Sequence, residues 1–201
     1  MNLIDLIFPK YCLECKKMGK YICDDCFKKN TFSRCDSFNY SVFKYEGVIR
    51  KTIISLKYKF AYDVAEELTG RIVDSLISRK QFLNKKNVLV PIPLYKSRHN
   101  WRGFNQSELI GEKLAKRLGW GFLPDLLIRN KNTVSQVGLR GSVRRSNLFG
   151  AFSVNPDCQL NTAYCILLFD DVFTTGSTIK EAKKVLNEAG FDNIKSLTIA
   201  R

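Results

Sequence analysis

The segment from Ile166 to Thr178, ILLFDDVFTTGST, constrains this chain more than any other, because it joins an apolar run to a polar loop and a helix start. The uninterrupted apolar run Cys165–Phe169 is typical of a central strand in a parallel sheet that is covered on both faces. Asp170 and Asp171 follow at its carboxyl end, where open α/β sheets place their ligands. The segment therefore predicts an α/β fold with a binding site at this edge of the sheet.

The loop after the two aspartates is rich in hydroxyl groups and backbone N–H donors. Its residues are Thr174, Thr175, Gly176, Ser177 and Thr178. The glycine lets the chain pass close to an anion. Thr178 and Glu181 have capping-box spacing, which predicts a helix that points the positive end of its dipole at the loop. A phosphate suits these donors, and two carboxylates suit the hydroxyls of a ribose or a hydrated Mg²⁺, so the motif predicts a site for a phosphorylated ribose.

Each half of this motif also has an ordinary structural explanation. An Asp pair before a helix can serve as an N-cap, and a TTGS loop can be a simple turn. The two halves in this order are far more specific than either half alone. The segment lacks the pattern G-x-x-x-x-G-K-[ST], so it does not predict a nucleotide-hydrolysing P-loop.

Two C-x-x-C pairs near the start of the sequence predict a metal site. The pairs are Cys12 with Cys15 and Cys23 with Cys26, and seven residues separate them. This spacing lets four thiolates converge on one tetrahedral ion, for which structural zinc is the expected occupant. Reversible disulfide formation is the alternative, although neither pair opens a helix after a strand as a thioredoxin-like motif would. Cys35 lies near enough in sequence to be a spare ligand.

Length and composition predict one α/β domain with a small appendage. With 201 residues, 45% of them hydrophobic, the chain can bury one substantial core but not two. We expect a zinc-binding knuckle module at residues 1–36 and the α/β domain at residues 37–201. Seven cysteines favour the reducing cytoplasm. No apolar run approaches the roughly 18 residues of a membrane span, so membrane insertion is not expected.

Regular structure outside these motifs follows from apolar patterning and turn residues. We expect an edge strand or a hairpin arm within residues 38–45, a buried strand at 87–91, a further strand at 194–200, and helices near 48–58, 63–78 and from Leu109 to Gly119.

The charge of the chain predicts an anionic ligand or partner. The formal net charge is +14, and residues 96–145 contain eleven Lys and Arg residues against three acidic residues. Two segments in this region suit a pyrophosphate, because arginine binds phosphate oxygens in a bidentate fashion. The first, a turn after Pro91, carries Arg98, Arg102, Asn105 and Gln106. The second, residues 136–147, carries Arg144 and Arg145 and is typical of a flap over a ligand.

Either basic segment alone is equally typical of a solvated surface. His99 is the only histidine and lies in the first segment. A lone loop histidine is usually a surface residue, so no catalytic residue is assigned.

Four blocks of this sequence together resemble the ComF family of proteins with the type I phosphoribosyltransferase fold, also described as amidophosphoribosyltransferase-like. The blocks are the C-x-x-C pairs, VPIPLYKSRHNWRGFNQSELI, TVSQVGLRGSVRRSNLFGAF and LLFDDVFTTGSTIKEA. The resemblance implies a twisted parallel sheet flanked by helices. It also implies that Asp170, Asp171 and the loop 174–178 bind 5-phosphoribosyl 1-pyrophosphate (PRPP) with Mg²⁺, while Arg98 and Arg102 contact its pyrophosphate.

The same resemblance implies a role in natural transformation, in which the protein handles incoming single-stranded DNA in the cytoplasm together with a helicase-like competence protein. Family members often have a second cysteine pair near Cys35, whereas this chain has Cys35 alone. Two functions stay open. One is a PRPP-binding protein of DNA uptake, and the other is an enzyme of nucleotide metabolism that transfers the pentosyl group of PRPP and releases pyrophosphate.

Overall fold

Five parallel strands form the central sheet of the protein, and helices cover both of its faces. The structure is a computed structural model that describes residues 9–30, 32–33, 38–56, 61–80, 86–132, 150–161 and 163–201, with backbone only for Ala61 and Arg102. The elements in chain order are α1 (Asp24–Lys28), β1 (Asn39–Phe43), α2 (Gly47–Ser55), α3 (Ala61–Ser78), β2 (Asn87–Pro91), α4 (Lys96–Arg102), α5 (Gln106–Leu118), β3 (Gly121–Phe122), β4 (Leu127–Arg129), β5 (Phe152–Val154), β6 (Cys165–Val172), α6 (Ser177–Glu188) and β7 (Ile194–Ala200).

The strand order in the sheet is β1-β7-β6-β2-β3, and every neighbouring pair is parallel. Strand β6 lies in the middle, between β7 and β2. Its register places Leu167 opposite Leu89 and Phe169 opposite Pro91. The predicted strands at 87–91 and 194–200 are confirmed, and β1 is an edge strand as expected.

Strand β6 is buried on both faces because successive side chains point to opposite sides of the sheet. Leu167 and Phe169 belong to a core shared with α2, α3 and α5. Ile166 and Leu168 belong to a second core shared with α6 and the antiparallel pair β4–β5. Two-sided burial explains the uninterrupted apolar run, and it confirms the prediction of a central strand.

The ends of the predicted helices follow from capping chemistry. Helix α5 ends at Gly119, which is left-handed with φ 68° and donates its N–H to the carbonyl of Ala115. Such a left-handed residue is the usual way to close a helix, and glycine adopts it without steric cost. Helix α3 spans residues 61–78, close to the predicted 63–78. The short strands β4 and β5 lack a periodic signal in the sequence and were not predicted.

The cysteine segment, residues 9–30, packs against helix α3. The Glu67 carboxylate accepts hydrogen bonds from the backbone N–H groups of Tyr21 and Ile22, at 2.9 and 2.8 Å. One turn further along α3, Arg71 donates to the Ile22 carbonyl at 3.1 Å and forms an ion pair with Asp24. Ile22 is fully buried in the core that contains α3. The division at residues 36 and 37 stays a prediction, since this segment shares its core with the α/β part.

Within the part of the chain that the structure describes, no helix is both long and apolar enough to cross a membrane.

Two helical glycines make a matched pair for testing how tightly the first core is packed. A Cβ at Gly111 in α5 would lie 2.7 Å from Leu89 Cδ2, whereas a Cβ at Gly70 in α3 would meet only Arg117 Nη1 at 3.4 Å. Gly111→Ala should therefore lower the free energy of unfolding by about 1–3 kcal/mol through overpacking. Gly70→Ala should be neutral or stabilising by up to about 1 kcal/mol, since alanine is the better helix former. Urea denaturation of both variants measures this difference, and equal effects would contradict it.

Candidate functional site

The connections that follow β2 and β6, which are parallel neighbours in the sheet, lead in opposite directions across the sheet, and we call the place between the two strands the reversal point. From β2 the chain passes through α4 and α5 to β3 on one side, and from β6 it passes through α6 to β7 on the other. A crevice opens outside the carboxyl ends of two strands whose connections diverge in this way, and open α/β proteins bind their ligands there. The predicted site residues follow β2 and β6, so the fold brings these two segments to one edge.

The two aspartates lie near the carboxyl end of β6, just before its last residue Val172, and are half-buried. The strand extends to Val172, three residues beyond the predicted end, so both aspartates lie within it. One Asp170 carboxylate oxygen accepts the Asp171 N–H at 2.9 Å and the hydroxyl of Ser107 at 3.3 Å. The Asp171 carboxylate accepts the N–H of Val172 at 2.7 Å. These hydrogen bonds hold the carboxylates at the edge of the sheet.

Burial raises the pKa of Asp170 to about 7, and the negative charge of Asp171 adds to this effect. The hydrogen bonds from Asp171 and Ser107 and the positive charge of Arg129 act in the opposite direction and only partly offset it. A ligand that brings hydroxyl donors or a cation would stabilise the charged form of this carboxylate.

Ser107 and Arg129 contribute to the site but were not predicted from the sequence. Ser107 lies in the first turn of α5, where its hydroxyl reaches Asp170. Arg129 ends β4, donates to the Pro93 carbonyl at 3.3 Å and packs on the Phe152 ring at 5.4 Å. Its burial lowers its pKa, the charge of Arg98 lowers it further and the charge of Asp170 raises it. Two arginines and a carboxylate therefore interact electrostatically at this edge.

The hydroxyl-rich loop leads from β6 into α6 through a left-handed glycine. Gly176 has φ 72°, and a Cβ there would lie 2.5 Å from the ring of Phe173, so only glycine fits. Thr174 and Thr175 are exposed. The hydroxyls of Thr175 and Ser177 are 2.5 Å apart. The loop thus places exposed hydroxyls at the start of α6, and its binding of a phosphate stays a prediction.

The predicted capping box is wrong. The residue that caps α6 is Gly176, which has no side chain with which to make a capping hydrogen bond. Glu181 instead accepts the backbone N–H of Gly150 at 2.7 Å and so ties α6 to the start of β5. A capping box requires Thr178 to be the N-cap residue. Because Gly176 is the N-cap, Thr178 already lies inside the helix and cannot take that role.

The first basic segment forms a helix rather than the expected turn. Arg98 is half-buried on α4, His99 is exposed there, and the backbone of Arg102 ends it. Asn105 is buried, donates to the Ile92 carbonyl at 3.1 Å and accepts the Ser107 N–H at 3.1 Å as the cap of α5. Gln106 is also buried. Both amides lie inside the structure next to the crevice, and their contact with pyrophosphate stays a prediction.

Three predicted residues lie outside the described part of the chain. They are Arg144 and Arg145 of the predicted flap, and Cys35.

The four predicted cysteines converge. The Sγ atoms of Cys12, Cys15, Cys23 and Cys26 all lie within 4.8 Å of one another, and Cys15 alone of the four is exposed. Cys23 opens the short helix α1 and accepts the Cys26 N–H at 3.4 Å, although no strand precedes this helix within residues 9–22. Burial would raise the pKa of Cys12, but backbone N–H groups of Cys15, Cys23 and Glu14 lower it to about 6. Four convergent sulfurs of this kind can hold a metal ion such as zinc.

Curated relatives of the chain are competence and DNA-utilization proteins. Competence protein ComFC of Streptococcus pneumoniae is 29% identical over 94% of this chain and 87% of its own length. Competence protein F of Haemophilus influenzae is 36% identical over 61% of this chain and 54% of its own length, so the chain spans about half of that protein. DNA utilization protein YhgH of Salmonella typhimurium is 29% identical over 80% of this chain and 70% of its own length. No protein-family model matches the chain.

Solved structures with a similar chain path include two enzymes. One is described as the allosteric regulatory enzyme of purine biosynthesis, with a TM-score of 0.44 and 14% identity over 83% of this chain and 31% of the other. The other is adenine phosphoribosyltransferase from Thermoanaerobacter pseudethanolicus, with a TM-score of 0.40 and 13% identity over 88% of this chain and 98% of the other.

The parallel sheet with helices on both faces confirms the predicted α/β fold, and four cysteines cluster near the N-terminus. The resemblance of the chain to the ComF family, predicted from the motifs, is confirmed by the competence relatives.

The raised pKa of Asp170 predicts how stability depends on pH. Its ordinary value is 3.8 and its value in the folded protein is about 7. Between these values the folded protein holds a proton that the unfolded chain releases, so stability falls as the pH rises through this window. Asp170→Asn should remove this loss and be more stable than the wild type at about pH 8 by more than about 1 kcal/mol.

Urea unfolding at about pH 5 and about pH 8 measures the effect. Asp192→Asn is the control, because Asp192 is exposed at the opposite edge of the sheet. If Asp170→Asn and Asp192→Asn show the same pH dependence, burial of Asp170 does not set the pH dependence of stability.

Proposed function

We propose that the protein binds PRPP with Mg²⁺ at the carboxyl ends of β2 and β6, and that it handles incoming single-stranded DNA in the cytoplasm during natural transformation. The observation that carries the PRPP part is the juxtaposition of Asp170 and Asp171 with the loop 174–178 at the reversal point of the sheet. The names of the relatives support the role in competence. A competence helicase is the associate that the resemblance to the ComF family implies.

In this proposal each part of PRPP meets a group of matching chemistry. The carboxylates of Asp170 and Asp171 accept hydrogen bonds from the ribose hydroxyls and hold the hydrated Mg²⁺. The first N–H groups of α6 and the hydroxyls of Thr174 and Thr175 receive the 5-phosphate. Mg²⁺ neutralises charge on the pyrophosphate.

The half-buried Arg98 and Arg129 supply the protein's own positive charge beside the crevice. Two cations near each other lower each other's affinity for protons, and an anion between them relieves this repulsion. This arrangement supports the pyrophosphate half of the proposal.

A ligand-binding experiment tests the PRPP part directly. Asp171→Asn should weaken PRPP binding in the presence of Mg²⁺ by more than tenfold, or about 1.4 kcal/mol, since it removes one carboxylate from the ribose and the metal. Isothermal titration calorimetry measures the affinity. Asp192→Asn should bind PRPP as the wild type does. If the wild type binds no PRPP, or if Asp171→Asn binds it equally well, the ribose assignment is overturned.

We also propose that the cysteine cluster holds one structural zinc ion. Few apolar residues of the cysteine segment are buried, so metal binding is its main source of order beside the contacts with α3. Freshly purified protein should contain about one zinc per chain, and Cys26→Ser should lose most of it because four thiolates complete the shell. Elemental analysis measures the content, and Cys158→Ser, outside the cluster, should keep it. Wild-type protein without metal would contradict the proposal.

A further inference from the structure

Trp101 on helix α4 is the most exposed large hydrophobic side chain in the described part of the chain, with 78% of its surface accessible. The other tryptophan, Trp120, is 7% accessible and belongs to the first core. An exposed indole leaves a large apolar surface in water, where it adds nothing to folding. A single exposed apolar residue would need no explanation, so its surroundings decide what it means.

Two more aromatic rings belong to this region, because Phe104 lies three residues beyond Trp101 in sequence and Tyr62 lies beside Phe104 in space. Phe104 follows α4 after Gly103, which is left-handed and donates its N–H to His99 at 2.7 Å. The ring of Phe104 lies 6.3 Å from the ring of Tyr62, which begins α3 and is 64% accessible. The end of α4 therefore combines an exposed indole with a pair of aromatic rings, one of them largely in water.

Basic residues predominate in the sequence around Trp101 and Phe104. Residues 95–107 contain Lys96, Arg98 and Arg102 together with His99, and no acidic residue. Lys96 and His99 are exposed on α4. Asp63, the acidic residue next to Tyr62, forms an ion pair with Lys10 at 3.5 Å, so its charge is already partly neutralised.

Rings interleaved with cations match the chemistry of single-stranded nucleic acid. Unpaired bases stack on aromatic side chains whatever their sequence, while cations contact the phosphates between them. Helix α4 has seven residues and only one large apolar side chain, Trp101, which is too little apolar surface for a membrane-bound helix. Duplex DNA fits less well, because its bases are already stacked within the helix.

The position of this surface adds to the argument. Arg98 lies on α4 and interacts electrostatically with Arg129, which in turn interacts with Asp170. Helix α4, which carries both Arg98 and Trp101, therefore lies beside the crevice that we assign to a sugar phosphate.

We propose that the α4 surface, formed by Lys96, His99, Trp101, Phe104 and Tyr62, binds single-stranded nucleic acid by base stacking and phosphate contacts. The inference rests on the DNA-handling part of the proposed function and is independent of PRPP binding. It assigns the nucleic-acid contact to one face of the molecule. The net charge of the chain indicates an anionic partner but does not say which face binds it.

Binding of a fluorescent single-stranded oligothymidine, followed by anisotropy at low salt, tests the assignment. Trp101→Ala should weaken binding at least about fivefold, which is the loss of one stacked base. Trp101→Phe should keep most of the affinity. Lys96→Ala should weaken binding and reduce the slope of log affinity against log salt concentration by about one. Tyr164→Ala is the matched control, because Tyr164 is 41% accessible at the opposite edge of the sheet.

Tryptophan fluorescence provides a second readout that a folding defect would not imitate. In a Trp120→Phe variant all tryptophan emission comes from Trp101, since the chain has two tryptophans. The oligonucleotide should quench this emission and protect it from acrylamide, and the duplex of the same sequence should do so less.

The outcomes separate this inference from the proposed function. If the wild type binds no oligonucleotide, both the DNA-handling role and this surface are overturned, while PRPP binding is judged by its own titration. If the wild type binds but Trp101→Ala binds equally well, the surface alone is overturned. Protection of Trp101 by anionic lipid vesicles but not by the oligonucleotide would also overturn it.

Discussion

Burial of β6 on both faces is the constraint on which the rest of this structure depends. Two cores close on the strand from opposite sides, so every residue up to Phe169 must be apolar. Polar groups are tolerated only where the strand leaves that cover, and Asp170 and Asp171 are the first residues to do so. The position of the candidate site thus follows from packing, and the divergence of the chain after β2 and β6 opens the space beside it.

The site is assembled at a cost to the fold. Asp170 is held near a second carboxylate in a partly dry environment, and Ser107 and Arg129 only partly compensate for this. Charged groups in such an arrangement are common where a protein binds ligands, because the missing partners are supplied by the ligand. The arrangement is consistent with a ligand that carries hydroxyl groups and a divalent cation.

Much of the fold and part of the candidate site could be predicted from the sequence, because their residues leave a clear pattern in it. The strand at 87–91 and the central strand are largely apolar runs, and the two C-x-x-C pairs have a spacing that suits convergence on one metal ion. Helix α4 was missed because KSRHNWR contains one apolar residue and therefore has no helical periodicity. The capping box failed because a left-handed glycine, which spacing does not reveal, sets the start of α6. Ser107 and Arg129 were missed because only the packing of α5 and β4 against β6 brings them to Asp170.

The attachment of the cysteine segment to α3 has a consequence for how the chain tolerates change. Helix α3 presents the buried side chains Leu68 and Ile72 to a core that Ile22 completes from outside the α/β part. Glu67, on the same helix, binds main-chain N–H groups of the segment, whereas Arg71 binds the Ile22 carbonyl and also the side chains of Asp24 and Phe27. Residues on the outside of the segment that make none of these contacts are free to diverge between homologues. Deleting the whole segment would instead expose an apolar stripe of α3 to water and favour aggregation of the remaining protein.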